Sequence, residues 1–419
     1  RHLAPHFQET IAISRRNVTH LHWRDRWHAL GRMHTEVRQE GTVQWLALTP
    51  WGSIRHGLGH HLLGLTNPYT PPRRGPRRVL RRVMSFLGVV LELGLLPSFI
   101  VTYALRIGGR MDVVIGEGPW EVAFGLFLRA LGRAGVVVYD DIDYAPGFLP
   151  IHGLRRRMVA ALERFAIRRA DLVVCVGERL ARLRRTQGAQ DVRVIPNGVD
   201  LDRFREAAAV RRQAGPRRPT LIYTGYLGAW AGVDLILEAA ALIVQRVPEL
   251  RIILLGHGTP LDLETLKAGI RERGLARVVD FRGEVPYARL PEHLAEADVG
   301  LVMFRPLDLT RYAFPLKVVE YMAAGLPVLA TADTEAAALV VRVGAGAAVT
   351  FDSVAVTEAA VKLLQDISWR SALGEAAWRA AHTFDWSHLM TRHFLASSEA
   401  MQKISCGHRT VSLQTGVKP

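Results

Sequence analysis

The chain has 419 residues, of which 49% are hydrophobic and 22% are charged. This length suits two domains of roughly 200 residues each, and the apolar fraction excludes disorder for most of the chain. The formal net charge is +15, and it is divided unevenly: residues 1–200 carry +13 and residues 201–419 carry +2. A nucleic-acid coat spread over the whole chain would not show this division. We therefore expect two parts with different partners, and no nucleic acid among them.

Cysteine usage points to a reducing compartment. The two cysteines, Cys175 and Cys406, are too few for a disulfide framework. Cys175 lies in an apolar run, which predicts a small buried side chain. No group of cysteines and histidines has the spacing of a zinc site, and no secretory signal is visible after Arg1. These features predict a cytoplasmic protein without a metal site.

Short apolar runs along the chain predict strands. In the first half they lie at 42–48, 112–115, 136–139, 172–176 and 192–195, and in the second half at 220–223, 251–255, 278–281, 299–303 and 327–330. Segments with helical periodicity separate them, at 154–169, 234–244, 318–324, 368–382 and 386–401. Continuous apolar strands that alternate with helices predict parallel sheets covered on both faces. Two such series predict an α/β protein with two doubly wound domains, divided near the proline- and arginine-rich stretch at 206–219.

One stretch of the first half is unusually basic. Six arginines fall within ten residues, namely Arg73, Arg74, Arg77, Arg78, Arg81 and Arg82. An almost wholly apolar run follows at 86–105, interrupted by Glu92 and Pro97. Three interpretations stay open: a core helix, a membrane-surface helix whose arginines meet anionic lipid, and a membrane span. Against a span, Glu92 near its centre would cost about 2–3 kcal/mol.

Four glycine-containing turns follow predicted strands, where open α/β sheets bind ligands. They have the sequences VIPNGVD at 194–200, TGYLGAWAG at 224–232, LLGHG at 254–258 and FRGEVPY at 281–287. A glycine loop between a strand and a helix lets a phosphate approach the backbone and the helix N-terminus. Each turn taken alone also fits an ordinary connection.

A fifth motif lies at 312–330, with the sequence YAFPLKVVEYMAAGLPVLA. Lys317 falls early in the predicted helix, where its charge opposes the helix dipole unless an anion shares the site. Glu320 lies one turn later and can accept two hydroxyl hydrogen bonds, as a ribose or hexose requires. Alone, Glu320 also fits a solvated helix carboxylate.

Three acidic residues end the predicted strand at 136–139. Asp140, Asp141 and Asp143 would face a cleft at its carboxyl end, where a carboxylate can act as base on an acceptor hydroxyl or orient a sugar. The alternative is a loop with capping aspartates.

Taken together, the order and spacing of the five motifs resemble the C-terminal half of GT-B glycosyltransferases of the family-4 type. The resemblance covers about residues 110–390. It implies two Rossmann-like domains with a cleft between them: an acceptor-binding domain at 1–205 and a nucleotide-sugar-binding domain at 206–384. It also implies a helix at 385–404 that crosses back to the first domain, beginning near Trp386, and it leaves a tail at 405–419.

The resemblance also implies roles for individual residues. The glycine turns at Gly225, Gly228 and Gly256 would face the donor diphosphate. The segment with Val285 and Tyr287 would meet the base, and Glu320 would hold the ribose. No cofactor and no bound metal are implied, because helix dipoles and basic side chains neutralise the leaving diphosphate.

This chain departs from the family pattern at three positions. Tyr312 stands eight residues before Glu320, where the family has a second Glu that contacts the donor sugar. Tyr226 and Ala231 stand near the positions of the family's diphosphate-binding Arg and Lys. Lys317 is the first candidate for the missing positive charge, followed by Arg305 and Arg311. The PLK and EY elements of the motif resemble a branch of bacterial cell-surface polysaccharide glycosyltransferases.

These observations together predict a hexosyltransferase that moves a sugar from a nucleotide-diphosphate sugar to a lipid-linked or polysaccharide acceptor. The arginines at 73–82 predict an anionic membrane surface as a partner, and hence a peripheral position at the inner face of the plasma membrane. Two alternatives remain. A GT-B epimerase acting on a nucleotide sugar would need no lipid, and a non-catalytic GT-B binding subunit would tolerate the replacements at 226, 231 and 312.

Overall fold

The computed structural model of the chain describes residues 10–15, 36–40, 43–48, 100, 109–147, 154–213 and 218–389. The predicted arginine run at 73–82 lies outside these residues, and so does the apolar run at 86–105 apart from Ile100. Within the described part of the chain, no helix is long and apolar enough to cross a bilayer.

The described residues of the first half form two separate sheets. Strands β1 (Thr10–Arg15), β2 (Glu36–Glu40) and β3 (Val43–Leu48) form a three-stranded sheet in the order β1-β3-β2, with β2 antiparallel to β3. The second sheet is parallel in the order β4-β5-β6-β7, formed by Met111–Gly116, Ala134–Asp141, Leu172–Cys175 and Val192–Val194. Helices α1 (Pro119–Ala130), α2 (Leu154–Arg169) and α3 (Glu178–Thr186) connect its strands. All five strands predicted in this half are confirmed, whereas β1 and β2 were not predicted.

Helix α4 (Leu201–Gln213) follows β7 and occupies part of the stretch predicted to divide the domains. Its buried side chains, among them Phe204 and Ala207, pack against the helices at Leu290–Ala295 and Leu316–Ala323 of the second half. The predicted absence of a strand there holds for the described residues, and the exact position of the boundary stays a prediction.

The second half forms one parallel sheet of six strands. They are β8 (Thr220–Thr224), β9 (Arg251–Leu255), β10 (Val279–Gly283), β11 (Val299–Val302), β12 (Val328–Thr331) and β13 (Gly346–Val349), in the order β10-β9-β8-β11-β12-β13. Numbered within this domain, the order is 3-2-1-4-5-6, the Rossmann arrangement. The chain reverses direction across the sheet between β8 and β11, and ligands bind beyond the carboxyl ends of the strands at such a point.

Helices cover both faces of this sheet. They are α5 (Val233–Arg246), α6 (Pro260–Glu272), α7 (Leu290–Ala295), α8 (Asp308–Tyr312), α9 (Leu316–Ala323), α10 (Glu335–Arg342), α11 (Ser353–Gln365) and α12 (Ile367–Ala381). Strands β8 and β11 are buried along their whole length, which explains their continuous apolar sequences. All five strands predicted in this half are confirmed, and β13 was not predicted.

The chain then returns to the junction between the two halves. The Val199 N–H donates to the carbonyl of Phe384 (2.8 Å), and the Trp386 N–H donates to the carbonyl of Val199 (3.1 Å). A Cβ added to Gly198 would lie 2.7 Å from the Trp386 ring, so only glycine fits against this indole. Helix α13 (Trp386–Leu389) begins here, where the resemblance places the start of the crossing helix; residues 390–404 lie outside the described part.

Candidate active site

Two glycine turns form the floor of the site at the carboxyl ends of β8 and β9. Gly225 has φ +116° and Gly256 has φ +136°, conformations that favour glycine. A Cβ on Gly256 would lie 1.7 Å from the carbonyl oxygen of Gly225, so the two turns pack backbone against backbone. The structure therefore brings together two turns that the resemblance assigned to the diphosphate.

Lys317 points at this floor from the first turn of α9. Its Nζ lies 3.9 Å from the ring centroid of Tyr223 and 5.5 Å from that of Phe304. A Cβ on Gly225 would lie 3.0 Å from the same nitrogen, which places the ammonium directly at the glycine turn. Burial lowers the pKa of Lys317 to about 7, against the raising effect of Glu320. A negatively charged ligand at this turn would restore the charged form.

The other two predicted cations are already engaged. Arg305 binds the Asp234 carboxylate and the carbonyl of Ala229 (3.2 Å). Arg311 lies 4.0 Å from the carboxylate of Asp333. Among the three candidates, Lys317 is the one for which the described residues show no carboxylate within ion-pair distance. It stays the first candidate for the diphosphate.

An aromatic stack includes Tyr226, one of the two residues that stand near the positions of the family's cations, whereas the other, Ala231, is buried. The rings of Tyr226 and Trp230 are parallel, with centroids 5.5 Å apart, and Trp230 packs against Phe304 at the same distance. The Tyr226 hydroxyl donates to the Asp262 carboxylate (2.7 Å). A Cβ on Gly228 would meet the Tyr226 ring at 2.2 Å, so this glycine makes room for the ring. The role of Gly228 toward the diphosphate stays a prediction.

Glu320 lies one turn beyond Lys317 and is buried. Burial raises the pKa of its carboxyl, and a hydrogen bond from the Tyr287 hydroxyl and the charge of Lys317 act in the opposite direction. Tyr287 is half-buried beside α4, with its ring 5.1 Å from the Arg203 guanidinium. Val285 is partly buried against the large core that includes Val318 and Val319 of α9. The structure thus brings Tyr287 and Glu320 together, two of the three residues predicted to meet the nucleoside.

The three predicted aspartates of the first domain have different surroundings. Burial raises the pKa of Asp140 to about 6, helped by the charges of Glu117 and Asp141. Burial and the charge of Asp141 raise the pKa of Asp143 to about 6 as well. A carboxylate with a pKa near 6 is suited to accept a proton at neutral pH.

Asp141 does not face a cleft, which corrects the prediction for this residue. Its side chain is fully buried and binds Arg184 through both oxygens, at 2.5 Å and 3.0 Å. Arg184 also donates to Glu163 (2.9 Å). The reason is the alternation of a strand: Tyr139 and Asp141 lie on one face of β5, turned into the protein, and Asp140 lies on the other. Asp141 is a structural carboxylate.

Tyr312 takes part in a contact between the two domains. Its ring meets the Tyr144 ring edge to face, with centroids 5.1 Å apart, and Tyr144 lies 5.5 Å from the Arg184 guanidinium. Tyr312, at the position where the family has a sugar-binding Glu, thus makes an aromatic contact with Tyr144. Through Tyr144 this contact adjoins the buried ion network around Arg184.

The sequence reasoning missed Glu335, Arg184 and Tyr144. Glu335 is buried at the start of α10, and its carboxylate binds the backbone of α3 in the other domain. The sequence offered one local sign, since an acidic residue just after Thr334 fits a helix start. Its partner, more than 150 residues away, has no sign in the sequence.

Two family models match the chain. The model for Glycosyltransferase Family 4 matches residues 55–203, and the model for Glycosyl transferases group 1 matches residues 218–366. The chain belongs to the GT-B glycosyltransferases of the family-4 type. The resemblance stated from the five motifs is confirmed.

Curated relatives in this family match about half of the chain. The phosphatidyl-myo-inositol mannosyltransferase of Mycobacterium tuberculosis is 31% identical over 201 residues, 46% of this chain and 50% of that protein. The GDP-mannose-dependent alpha-(1-6)-phosphatidylinositol monomannoside mannosyltransferase of the same organism is 34% identical over 206 residues, with 47% and 53% covered. A D-inositol 3-phosphate glycosyltransferase of Geodermatophilus obscurus is 30% identical over 240 residues, with 54% and 51% covered. The chain spans about half the length of these relatives.

Solved structures share the GT-B fold. Sucrose-phosphate synthase from Thermosynechococcus elongatus superposes with a TM-score of 0.67 at 18% identity, over 95% of this chain and all of that chain. HepE of Anabaena in complex with UDP-glucose gives a TM-score of 0.57 at 21% identity, over 69% and 79%. At these identities the likeness shows the fold, and the predicted fold class is confirmed.

Proposed function

We propose that this GT-B protein transfers a hexose from a nucleotide-diphosphate sugar to a hydroxyl group of a lipid-linked or polysaccharide acceptor in cell-surface glycan synthesis. The observation that carries the proposal is the position of Lys317. Its buried ammonium ends at the Gly225 turn, at the point where the strand order of the second sheet reverses. A diphosphate placed there would have the backbone of the turn on one side and this cation on the other.

In the proposed reaction the glycosyl–phosphate bond breaks and the diphosphate leaves with the bonding electrons. Lys317 stabilises the charge that develops on the leaving group, without need of a bound metal. Glu320 accepts hydrogen bonds from the ribose hydroxyls beside the hydrogen bond from the Tyr287 hydroxyl, since a carboxylate has about four acceptor sites. Asp140 or Asp143 accepts the proton of the acceptor hydroxyl, since both have a raised pKa.

The membrane part of the proposal rests on charge and on the relatives. The arginines at 73–82 would meet anionic lipid headgroups at the inner face of the plasma membrane. Two of the curated relatives are named as mannosyltransferases that act on phosphatidylinositol compounds. A lipid-linked acceptor is located in the membrane, so binding to anionic lipid would place the protein next to this substrate.

The donor is tested first by thermal shift with a panel of UDP- and GDP-sugars, and then by transfer of the labelled sugar to lipid extracts. We expect one nucleotide sugar to raise the melting temperature and to label a lipid product. Lys317→Ala and Glu320→Ala should each lose most of the transfer while keeping the fold, as judged by circular dichroism. Near-normal turnover in both variants would contradict the site. Interconversion of the sugar without transfer would establish the epimerase, and nucleotide binding without turnover would establish the binding subunit.

A further inference from the structure

Helix α2 presents an exposed basic stripe on the outside of the first domain. Its exposed arginines are Arg156, Arg157, Arg164, Arg168 and Arg169, whereas its acidic residue, Glu163, is buried in the network with Arg184. Arg156 pairs with Asp308 across the domains (3.1 Å). For the other four, the described part of the chain shows no ion pair. Four positive charges on one helix surface therefore have no ion-pair partner among the described residues.

Large apolar side chains are exposed beside this stripe. Phe165 of α2 is 47% exposed, and Phe127 and Leu131 at the end of α1 are 37% and 58% exposed. The ends of the two helices lie side by side, since Arg129 of α1 donates to the carbonyl of Arg169 (3.0 Å). The Arg169 guanidinium lies 5.9 Å from the Phe165 ring centroid. Exposed aromatic and aliphatic groups thus stand among exposed arginines.

This combination of groups indicates the kind of partner. A nucleic-acid backbone would use the arginines but would leave the apolar side chains without a favourable environment. The headgroup region of an anionic bilayer accommodates both, because phosphates lie at the level of the guanidinium groups and acyl chains begin just below. Arginine also keeps its charge and covers apolar surface with its stem.

We propose that the outer face of α1 and α2, defined by Phe127, Leu131, Arg157, Arg164, Phe165, Arg168 and Arg169, is a docking surface for an anionic membrane. It is separate in sequence from the arginines at 73–82 and adds a second point of attachment. Two points would fix the orientation of the first domain on the bilayer. This inference rests on the proposed membrane-associated function.

The test is flotation of the full chain with vesicles of phosphatidylcholine alone or with anionic phosphatidylglycerol. The variant combines Arg157→Gln, Arg164→Gln and Arg168→Gln. The matched control combines Lys267→Gln, Arg271→Gln and Arg277→Gln, three exposed residues of the second domain, and removes the same charge. Each lysine or arginine near an anionic surface strengthens binding by roughly five-fold, so the loss of three should weaken binding to anionic vesicles by roughly a hundred-fold. The control should bind like the unaltered protein.

The apolar side chains are tested separately, because salt screens the charges but leaves insertion in place. Phe165→Ser together with Leu131→Ser should lower the vesicle binding that remains at high salt. Equal binding of the arginine variant and its control would overturn the proposal. The proposal would also be overturned if the unaltered protein bound no vesicles and the arginine variant lost binding to a duplex oligonucleotide. That result would assign the surface to nucleic acid.

Failure of the proposed docking surface can be distinguished from failure of the proposed function. Thermal shift by the donor nucleotide is measured on the same variants, whose substitutions lie outside the candidate site. A retained shift with unchanged vesicle binding would refute the docking surface alone. Absence of any nucleotide shift in the unaltered protein would refute the proposed function.

A second set of flotation experiments uses proteins in which the six arginines at 73–82 are replaced by Gln. Membrane binding through that stretch then does not hide the effect of the substitutions in α2.

Discussion

The carboxylate of Glu335 accepts a hydrogen bond from the backbone N–H of Glu178 (2.9 Å). Its second oxygen accepts one from the N–H of Arg179 (3.0 Å). A buried side chain of the second domain thus satisfies two of the unpaired N–H groups at the start of α3 in the first domain. The negative charge also lies at the positive end of that helix dipole. This contact joins the two domains across the carboxyl ends of β6 and β12.

Replacing Glu335 by Ala should destabilise this domain arrangement. The substitution removes the buried acceptor of two N–H groups at the start of α3, which costs about 2 kcal/mol in the free energy of unfolding. Urea denaturation followed by tryptophan fluorescence measures the loss, and small-angle X-ray scattering should show a larger radius of gyration. Asp333→Asn is the control, because Asp333 pairs with Arg179 at 3.5 Å in an exposed position and should change stability by less than about 1 kcal/mol. Equal effects of the two substitutions would show that Glu335 does not hold the domains together.

Arg184 should be among the most sensitive positions of the first domain. Arg184→Met leaves the buried carboxylates of Asp141 and Glu163 without their cation, which typically costs roughly 3–5 kcal/mol. The matched substitution Arg205→Met removes an exposed pair with Asp202 (2.5 Å) and should cost less than about 1 kcal/mol. Thermal unfolding of both variants checks the difference. A shift for Arg184→Met no larger than that for Arg205→Met would mean that the buried network contributes little.

The acid side of the pH–rate profile should separate the three aspartates. Asp140 and Asp143 have pKa values near 6, so transfer should fall as pH decreases through 6 and the candidate base takes up a proton. Replacing the true base by Asn should abolish this limb together with most of the rate. Asp141→Asn should instead lower the melting temperature and, because the charge of Asp141 raises the pKa of both neighbours, move the limb to lower pH without abolishing it. A profile that is flat between pH 5 and 7 in the unaltered enzyme would exclude both carboxylates as the base.

Donor binding should take up a proton. The pKa of Lys317 is about 7 in the unliganded protein, and a bound diphosphate favours the charged ammonium and raises it. Below pH 7 the ammonium is already charged and affinity should be constant. Above pH 7 affinity should fall, by up to ten-fold per pH unit, until the pKa of the complex is reached. Isothermal titration calorimetry in buffers of different ionisation enthalpy measures the proton uptake directly.

Lys317→Met should weaken donor binding and remove its pH dependence. Lys362→Met is the control, because Lys362 also lies over an aromatic ring, that of Trp369 at 4.7 Å, but belongs to α11 outside the candidate site. It should leave both the affinity and its pH dependence unchanged. Proton uptake that persists in Lys317→Met would assign the titration to another group.

Local sequence patterns were sufficient for most of the fold. The apolar runs at β8 and β11 are buried on both faces and could be recognised from composition alone. Strand β2 has the polar sequence EVRQE, and β13 has four residues with small side chains, so neither carries an apolar signal. Their positions depend on pairing: β2 pairs with β3, the next strand along the chain, and β13 pairs with β12 across helix α10.

The candidate site was predictable where the motif lies in one segment. Lys317 and Glu320 are one helical turn apart, and that spacing already places them on neighbouring positions of α9. Which of Asp140 and Asp141 faces the interior could be decided only once the partner of Asp141 was known. Strand alternation separates the two side chains, but only Arg184, 43 residues away, shows which face is interior. Contacts between the domains, such as Tyr144 with Tyr312, have no local signal at all.

The bridge between Val199 and Asp385 has a consequence for biosynthesis. The two residues are separated by the whole second domain, yet they close one junction, with the Leu201 N–H donating to the Asp385 carboxylate (3.1 Å). Domains generally fold as units in the order in which the ribosome delivers them. The segment after β7, from Val199 into α4, therefore lacks its partner at Asp385 until the second domain has been synthesised. Ribosome-bound intermediates of this chain would expose that junction throughout the synthesis of the second domain.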